Sequence, residues 1–497
     1  MNALGSQQKS HKSTPTVGII GGGIAGSTIA LRLAELGIQV DIFEEGASLV
    51  NGPPICHLHA GGNLYREISD EHCITLLKQS IDTLRVFPHT ANIRPTVIAI
   101  PSHDKGEPDA ILPRLNQLRS VYQHLVEEDG SNEVLGKPDH YFKLYSREAL
   151  TALAAEQNPD APACLDDWMI PVAKNIDLEK FKFPLVLVQE YGLSVFRLAA
   201  TANLALEQLP NCNVNTASKV VNISQCAEGN WDIEYQAFDP IISDNVTRQC
   251  HVDYLINACG FQTGTIDDMA KLKRKRLVEF KAAYVTHWPE CSGIWPEVIF
   301  HGERGTPDGM AQLTPYADGY FQLHGMTDDI TLFKQGLVTS TNTSSQPELE
   351  QRFIRKIKQG WSSELISLRS QRAINHMSRF VPSYQTATVG GKPLFGAQQI
   401  PGDDPTLRAA DVSFDGRHYA RTEIVKASSA LSAANSILDQ LVSSGLVDKS
   451  LTQNSMASTF KVTTSLSQQT VEQKAIELAH ERHYPEALAK VVAYPLS

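Results

Sequence analysis

The sequence predicts an α/β protein, α+β overall, whose first layer is a Rossmann-like parallel sheet. Three observations predict it. An apolar strand, Val17-Gly18-Ile19-Ile20, runs straight into the turn Gly21-Gly22-Gly23-Ile24-Ala25-Gly26, which has the spacing G-x-G-x-x-G. A second strand, Val40-Asp41-Ile42-Phe43, ends in Glu44, 18 residues after Gly26. A third, Tyr254-Leu255-Ile256-Asn257-Ala258, is apolar on both sides, as a buried parallel strand should be, and ends at Cys259-Gly260.

The turn suits a dinucleotide phosphate. Gly21 bends the chain, Gly23 lets backbone approach a pyrophosphate, and Gly26 lets the next helix pack close to the strand. Ala30, Leu31, Leu33, Ala34 and Leu36 give that helix an apolar stripe, and Gly37 sits where a left-handed cap belongs. Its N-terminus, with Ile24 and Ala25 in the first turn, points at the pyrophosphate, where N–H groups and the helix dipole stabilise negative charge. Glu44, with Glu45 beside it, accepts hydrogen bonds from ribose hydroxyls and repels a 2′-phosphate. FAD or NAD is therefore favoured over NADP.

The first ordered block runs from Thr16 to Phe87, and Pro88, Pro95 and Pro101 interrupt the chain beyond it. From Ser102 to about Pro184, helical segments at Leu115–Glu128 and Ser146–Glu156 are separated by loops rich in Asp, Pro and Gly, which predicts an inserted cap or substrate region. An amphipathic segment, Ser194–Leu209, leads into a strand at Val214–Ile223, paired with Trp231–Tyr235 across Glu228-Gly229-Asn230. Ala311–Pro315 and Tyr320–His324 read as a hairpin around Asp318-Gly319. From Ser443 to Gln469 the chain is Ser- and Gln-rich, and a helical pattern comes next at Val471–Arg482. This tail reads as a linker plus one helix, as a segment packed on the first layer, or as the basis of a homodimer.

Composition bounds the function. The chain has 497 residues, of which 42% are hydrophobic and 20% charged, as in an ordinary globular protein of two or three sub-structures. A net charge of −11 argues against nucleic acid as a partner. Eight cysteines without C-x-x-C spacing predict reduced thiols, with neither a metal site nor a disulfide framework. Met1–Pro15 lacks the apolar core of a secretory signal, and no stretch approaches the ~20 apolar residues of a membrane span. A cytoplasmic chain without a transmembrane segment is expected.

In these motifs the chain resembles the FAD-dependent oxidoreductases of the D-amino-acid-oxidase superfamily, which includes glycine and sarcosine oxidases, L-2-hydroxyglutarate oxidase and glycerol-3-phosphate dehydrogenase. The turn at Gly21–Gly26 with Glu44 comes first, then His59-Ala60-Gly61, similar to a family "HAG" stretch, and a strand carrying Val220. Asn257-Ala258-Cys259-Gly260 is similar to "NAAG" and Gly391–Gly396 to "DGxPxIG", before a helix from about Thr422. The likeness covers Thr16–Leu441. It implies a discontinuous Rossmann-like FAD-binding domain, in pieces at 16–87, 191–270 and 386–441, with a cap or substrate region at 88–190, an interleaved antiparallel substrate sheet at 271–385 and a tail at 442–497. The implied FAD contacts are Gly21, Gly23, Ile24, Ala25, Gly26, Glu44, Glu45, His59, Ala60, Gly61, Val220, Ala258 and Gly260. With a single G-x-G-x-x-G there is no second turn for NAD(P)H, which points to electrons drawn from the substrate itself.

The resemblance further implies hydride transfer to flavin from a C–N or C–OH bond of a small anionic molecule: an amino acid, an N-methyl amino acid or a 2-hydroxy acid. Oxygen or a quinone is the implied acceptor. Relatives fix the substrate's charge with arginine. Arg421, just before the final helix, and Arg379, three residues before Pro382, match such positions, although the run Arg417–Glu423 lacks the family's usual glycine. For both, a surface arginine or an internal salt bridge, for example with Glu423, is the alternative. His59 is the candidate base, with a packed core histidine as the other reading, and His57 a covalent flavin anchor. His324 and His418 read as structural, Cys259 as a small buried hydrophobe, and Lys271–Arg276 as a solvated basic face or a contact with anionic membrane. Two other function classes stay open: a flavin monooxygenase or halogenase, for which Gly402-Asp403 lacks context, and a flavin-binding subunit without turnover.

Overall fold

Strand Thr16–Ile20 lies inside a sheet ordered Asp411–Phe414, Tyr419–Glu423, Tyr254–Asn257, Thr16–Ile20, Gln39–Phe43, Cys212–Asn215. The computed structural model describes residues 15–51, 68–239, 241–405, 407, 410–416, 418–453 and 460–492. His59, Ala60 and Gly61, together with His57, Tyr65 and Arg66, lie outside them. All pairings in this sheet are parallel except that of Asp411–Phe414 with Tyr419–Glu423. Val17, Ile19, Val40, Ile42, Leu255 and Ile256 are wholly buried, as expected of strands covered on both faces. Over this layer helix Ile24–Glu35 packs against both Val195–Leu206 and Ala430–Ser443.

Three differences from the sequence reading have physical causes. The strand expected at 214–223 is two strands, because Ala217 adopts a left-handed φ of 47°. Cys212–Asn215 joins the parallel sheet, while Ser218–Gln225 opens an antiparallel meander with Trp231–Asp239 and Asp244–Val252. The helix expected from about Thr422 starts at Ala430 instead, and Tyr419–Glu423 is a strand. Its five residues are all buried and its first three pair with Leu255–Asn257, so tertiary pairing overrides local helix preference. The third concerns Leu394–Pro401, which runs along Arg276–His287 in the second sheet and not in the first layer.

That second sheet is mostly antiparallel. Its order is Leu337–Thr339, Arg276–His287, Tyr320–Gly325, Ala311–Pro315, Glu297–Phe300, Thr96–Pro101, Phe181–Val188, Phe142–Tyr145, with Thr388–Val389 and Leu394–Pro401 also on Arg276–His287. The hairpin at Asp318-Gly319 forms with positive φ at both residues, 57° and 71°. Its apolar face packs around Trp288, Phe300, Leu313, Phe321 and Leu323.

The tail is built into the first layer. Glu35 accepts hydrogen bonds from the N–H groups of Lys461 and Val462, and helix Gln468–Glu481 packs on Val195–Leu206. No helix among the described residues is long and apolar enough to cross a membrane.

The first turn is as tight as its glycines imply. Gly21 has φ 103°, and a Cβ there would lie 2.4 Å from the Ala258 carbonyl oxygen. A Cβ on Gly26 would lie 1.9 Å from the Gly21 carbonyl oxygen, and backbone on both sides cannot yield. Gly26→Val is therefore expected to destabilise the fold by about 3 kcal/mol or more, read as a lowered urea midpoint or as insoluble protein.

Candidate active site

A cavity of about 2470 Å³ opens at the carboxyl ends of the parallel strands, far larger than the ~300–1,000 Å³ that a drug-sized ligand fills. Gly21, Gly23, Ile24 and Ala25 line it from the turn, Glu44 and Glu45 from the second strand, Ala258 and Gly260 from the third, and Val220 from the meander. These nine of the expected cofactor contacts share one space. Gly26 does not reach it and serves the packing of turn against helix.

The residues present fit a dinucleotide. A Cβ built on Gly23 meets no protein atom within 4 Å, so this glycine faces open cavity and not a packed neighbour. Helix Ile24–Glu35 begins without a side-chain cap and without an acid in its first turn, leaving its positive end for an anion. Glu44 accepts from the N–H of Gly22 and of Gly46, each at 2.7 Å. Oε2 thereby holds the turn and keeps a second lone pair for a ribose hydroxyl, while Oε1 also accepts from the Asn51 amide at 3.4 Å.

The second sheet forms the opposite wall. Ile299, Gln312 and His324 stand in register on three adjacent strands, and Lys281 lies on the long strand Arg276–His287; all four line the cavity. Gln312 donates to Glu297, which is buried and paired with buried Arg94 at 2.6 Å. The Lys281 ammonium is 2.8 Å from Glu279 and donates to Gln398 at 3.1 Å. Sequence reasoning found the hairpin but not these side chains. The available signal was polar residues inside otherwise apolar strands.

Arg421 and Arg379 stand elsewhere. Arg421 is fully buried and does not line the cavity. Its Nε donates to Asp267 at 2.9 Å, and its Nη1 contacts Ser413 and Asp415. Arg276 pairs with the same Asp267 and with Glu423, which also takes Arg274. The expected substrate-binding role of Arg421 is thus replaced by an internal ion network, because its strand turns the side chain between the layers. The Tyr419 hydroxyl donates to Asp267 and is held well above the usual tyrosine range by burial and that negative charge. The same network removes the basic run as a uniformly solvated face, since Arg276 is wholly buried. Arg379 is half-exposed and bonds to Asp308, which lines the cavity. That contact holds the Asp308 carboxyl below the usual carboxylate range.

Among the histidines, His324 is in the cavity wall, whereas His418 is not and uses its carbonyl to accept from Trp231 and Leu255. The Cys259 thiol donates to the Ile20 carbonyl, and burial pushes its pKa up, so it stays protonated near neutral pH. Two further cavity residues, Arg482 and Tyr484, come from the tail.

A family model described as an NAD(P)-binding Rossmann-like domain matches residues 19–50. No curated protein sequence matches the chain. Solved structures similar to it include the glycerol-3-phosphate dehydrogenase from Bacillus halodurans complexed with FAD, at 13% identity and TM-score 0.51, covering 88% of this chain and 66% of that one. Glycine oxidase from Geobacillus kaustophilus gives 12% identity and 0.52, covering 87% and 95%. The L-amino acid deaminase from Proteus vulgaris gives 12% and 0.52, covering 91% and 99%. The chain shares their fold.

Two substitutions separate the cradle from the network. Gly23→Val is expected to fold normally yet lose dinucleotide retention, read from the absorbance of the purified protein; full retention would exclude this turn. Arg421→Ala leaves buried Asp267 with only Arg276 and Tyr419 as partners and is expected to cost about 1.5–3 kcal/mol of stability, measured by urea denaturation, while cofactor content is kept.

Proposed function

We propose that the protein is an FAD-dependent oxidoreductase that oxidises a C–N or C–OH bond of a small anionic substrate by hydride transfer. One observation carries this reading: the phosphate turn, Glu44 and the Ala258–Gly260 strand end open onto the same cavity as the polar row of the antiparallel sheet. The shared fold supports it, since one similar structure is complexed with FAD and others are named as an oxidase and a deaminase of amino acids.

FAD, when bound, supplies a ring that accepts the hydride. The chain's own residues do the rest. The N–H groups of Gly23, Ile24 and Ala25 hold the pyrophosphate, and Glu44 takes ribose hydroxyls. Backbone at Ala258 and Gly260, with Val220, lines the remainder of the cofactor. Lys281, Gln312 and His324 orient the substrate from the opposite wall. His59, the candidate base, belongs to the same proposal, and oxygen or a quinone is the final acceptor. A cytoplasmic location belongs to the reading as well, supported by free thiols at the described cysteines.

An anaerobic spectral titration with amino acids, N-methyl amino acids, amines and 2-hydroxy acids tests the proposal. Loss of the flavin band with one class is the expected result and names the substrate. Reduction by NADH or NADPH alone would move the protein to the monooxygenase class, and protein purifying without flavin would end the reading.

A further inference from the structure

The tail adds a charge to the cavity that the two sheets do not supply. Arg482 comes directly after helix Gln468–Glu481 and lines the cavity. Its Nη1 donates to the Val50 carbonyl at 3.0 Å, and its Nη2 to the Ser48 hydroxyl and the Leu49 carbonyl, each at 2.9 Å. Three of the five N–H donors of a guanidinium are thereby used. The Nε is buried with no partner among the described residues.

Lys392 lines the same cavity. Its ammonium lies 4.4 Å from the centroid of the Tyr484 ring, and the Tyr484 hydroxyl is anchored on the Pro393 carbonyl at 2.8 Å. Among the described residues neither cation has an ion-paired carboxylate. Glu44 and Glu481 act on Arg482 only through space. The Lys392 ammonium is held below the usual lysine range by burial and by the Arg482 charge, so the two cations face one another's repulsion. Two half-buried like charges in a cavity wall, kept together without a carboxylate in direct contact among the described residues, suit an anion.

We infer that Lys392 and Arg482 form an oxyanion-binding pair, completed by the tail, for the pyrophosphate of the dinucleotide or the carboxylate of the substrate. Position favours the pyrophosphate. The Val50 carbonyl that holds Arg482 belongs to the residue whose N–H donates to the Gly22 carbonyl at 2.8 Å, which sets the pair beside the phosphate turn. The inference rests on the reading of the cavity as a dinucleotide site.

The test compares the full chain with Lys392→Gln and Arg482→Gln. Lys392 makes no hydrogen bond to a described residue, so its variant keeps the fold even if loss of the Arg482 clamp does not. The FAD dissociation constant, from fluorescence titration, is expected to rise about tenfold or more, with riboflavin affinity unchanged and thermal stabilisation by inorganic pyrophosphate lost. Unchanged FAD binding with a tenfold weaker spectral response of the flavin-loaded protein to glycolate would assign the pair to the substrate carboxylate. Soluble variants that keep wild-type responses to FAD, glycolate and pyrophosphate overturn the inference. A wild type that is stabilised by pyrophosphate through Lys392 but binds no FAD overturns the dinucleotide reading and leaves the pair standing. A wild type responding to neither overturns both.

Discussion

The site depends on the parallel register of Thr16–Ile20 between two partners that come from opposite halves of the sequence. Ile20 lies level with Phe43 on one side and with Asn257 on the other. The chain segments that leave these three strands, Gly21, Glu44 and Ala258, therefore emerge at one height, in the crevice where ligands of open α/β sheets bind. A slip of one residue in either pairing would reverse the faces of the strand and move Glu44 or Ala258 away from the turn. The tightness of the turn has its origin in the same geometry, since the Ala258 carbonyl already fills the space a side chain at Gly21 would need.

A second constraint ties this layer to the antiparallel sheet. Arg421 and Glu423 come from one sheet, Arg276 from the other, and Asp267 from helix Thr263–Met269 between them. With Arg274 and Asp415, three guanidiniums meet three carboxylates, mostly away from water. Such a cluster adds little net stability over a well-packed apolar one, because desolvation offsets most of the attraction. It does select one arrangement of the two layers, as any shift leaves a buried charge without its partner. Thr422, between two network residues, is thereby held in the cavity wall.

Where local chemistry is unambiguous, the sequence was legible. The strand, glycine turn, helix and Glu44 obey steric and capping rules that act within a few residues, and the Asp318-Gly319 hairpin arises from the positive φ both residues tolerate. The failures were decided by distant partners. Thr422-Glu423 reads as the start of a helix until the pairing of Tyr419–Arg421 with Leu255–Asn257 is known. An arginine two residues before a glutamate does not announce whether it will face a substrate or an aspartate more than a hundred residues away, as Arg421 does. The polar wall of Lys281, Gln312 and His324 was illegible for the same reason: each side chain is ordinary in its own strand, and only the sheet order sets them together.

The tail also sets an order of events. Gly23 is synthesised 459 residues before Arg482, which lines the same cavity together with Tyr484. Folding that proceeds as the chain emerges can form the first strand, turn and helix early, but their strand partner at Tyr254–Asn257 and the wall from the tail must be awaited. A growing chain that has not yet reached Arg482 therefore presents the glycine turn with that part of the pocket wall missing.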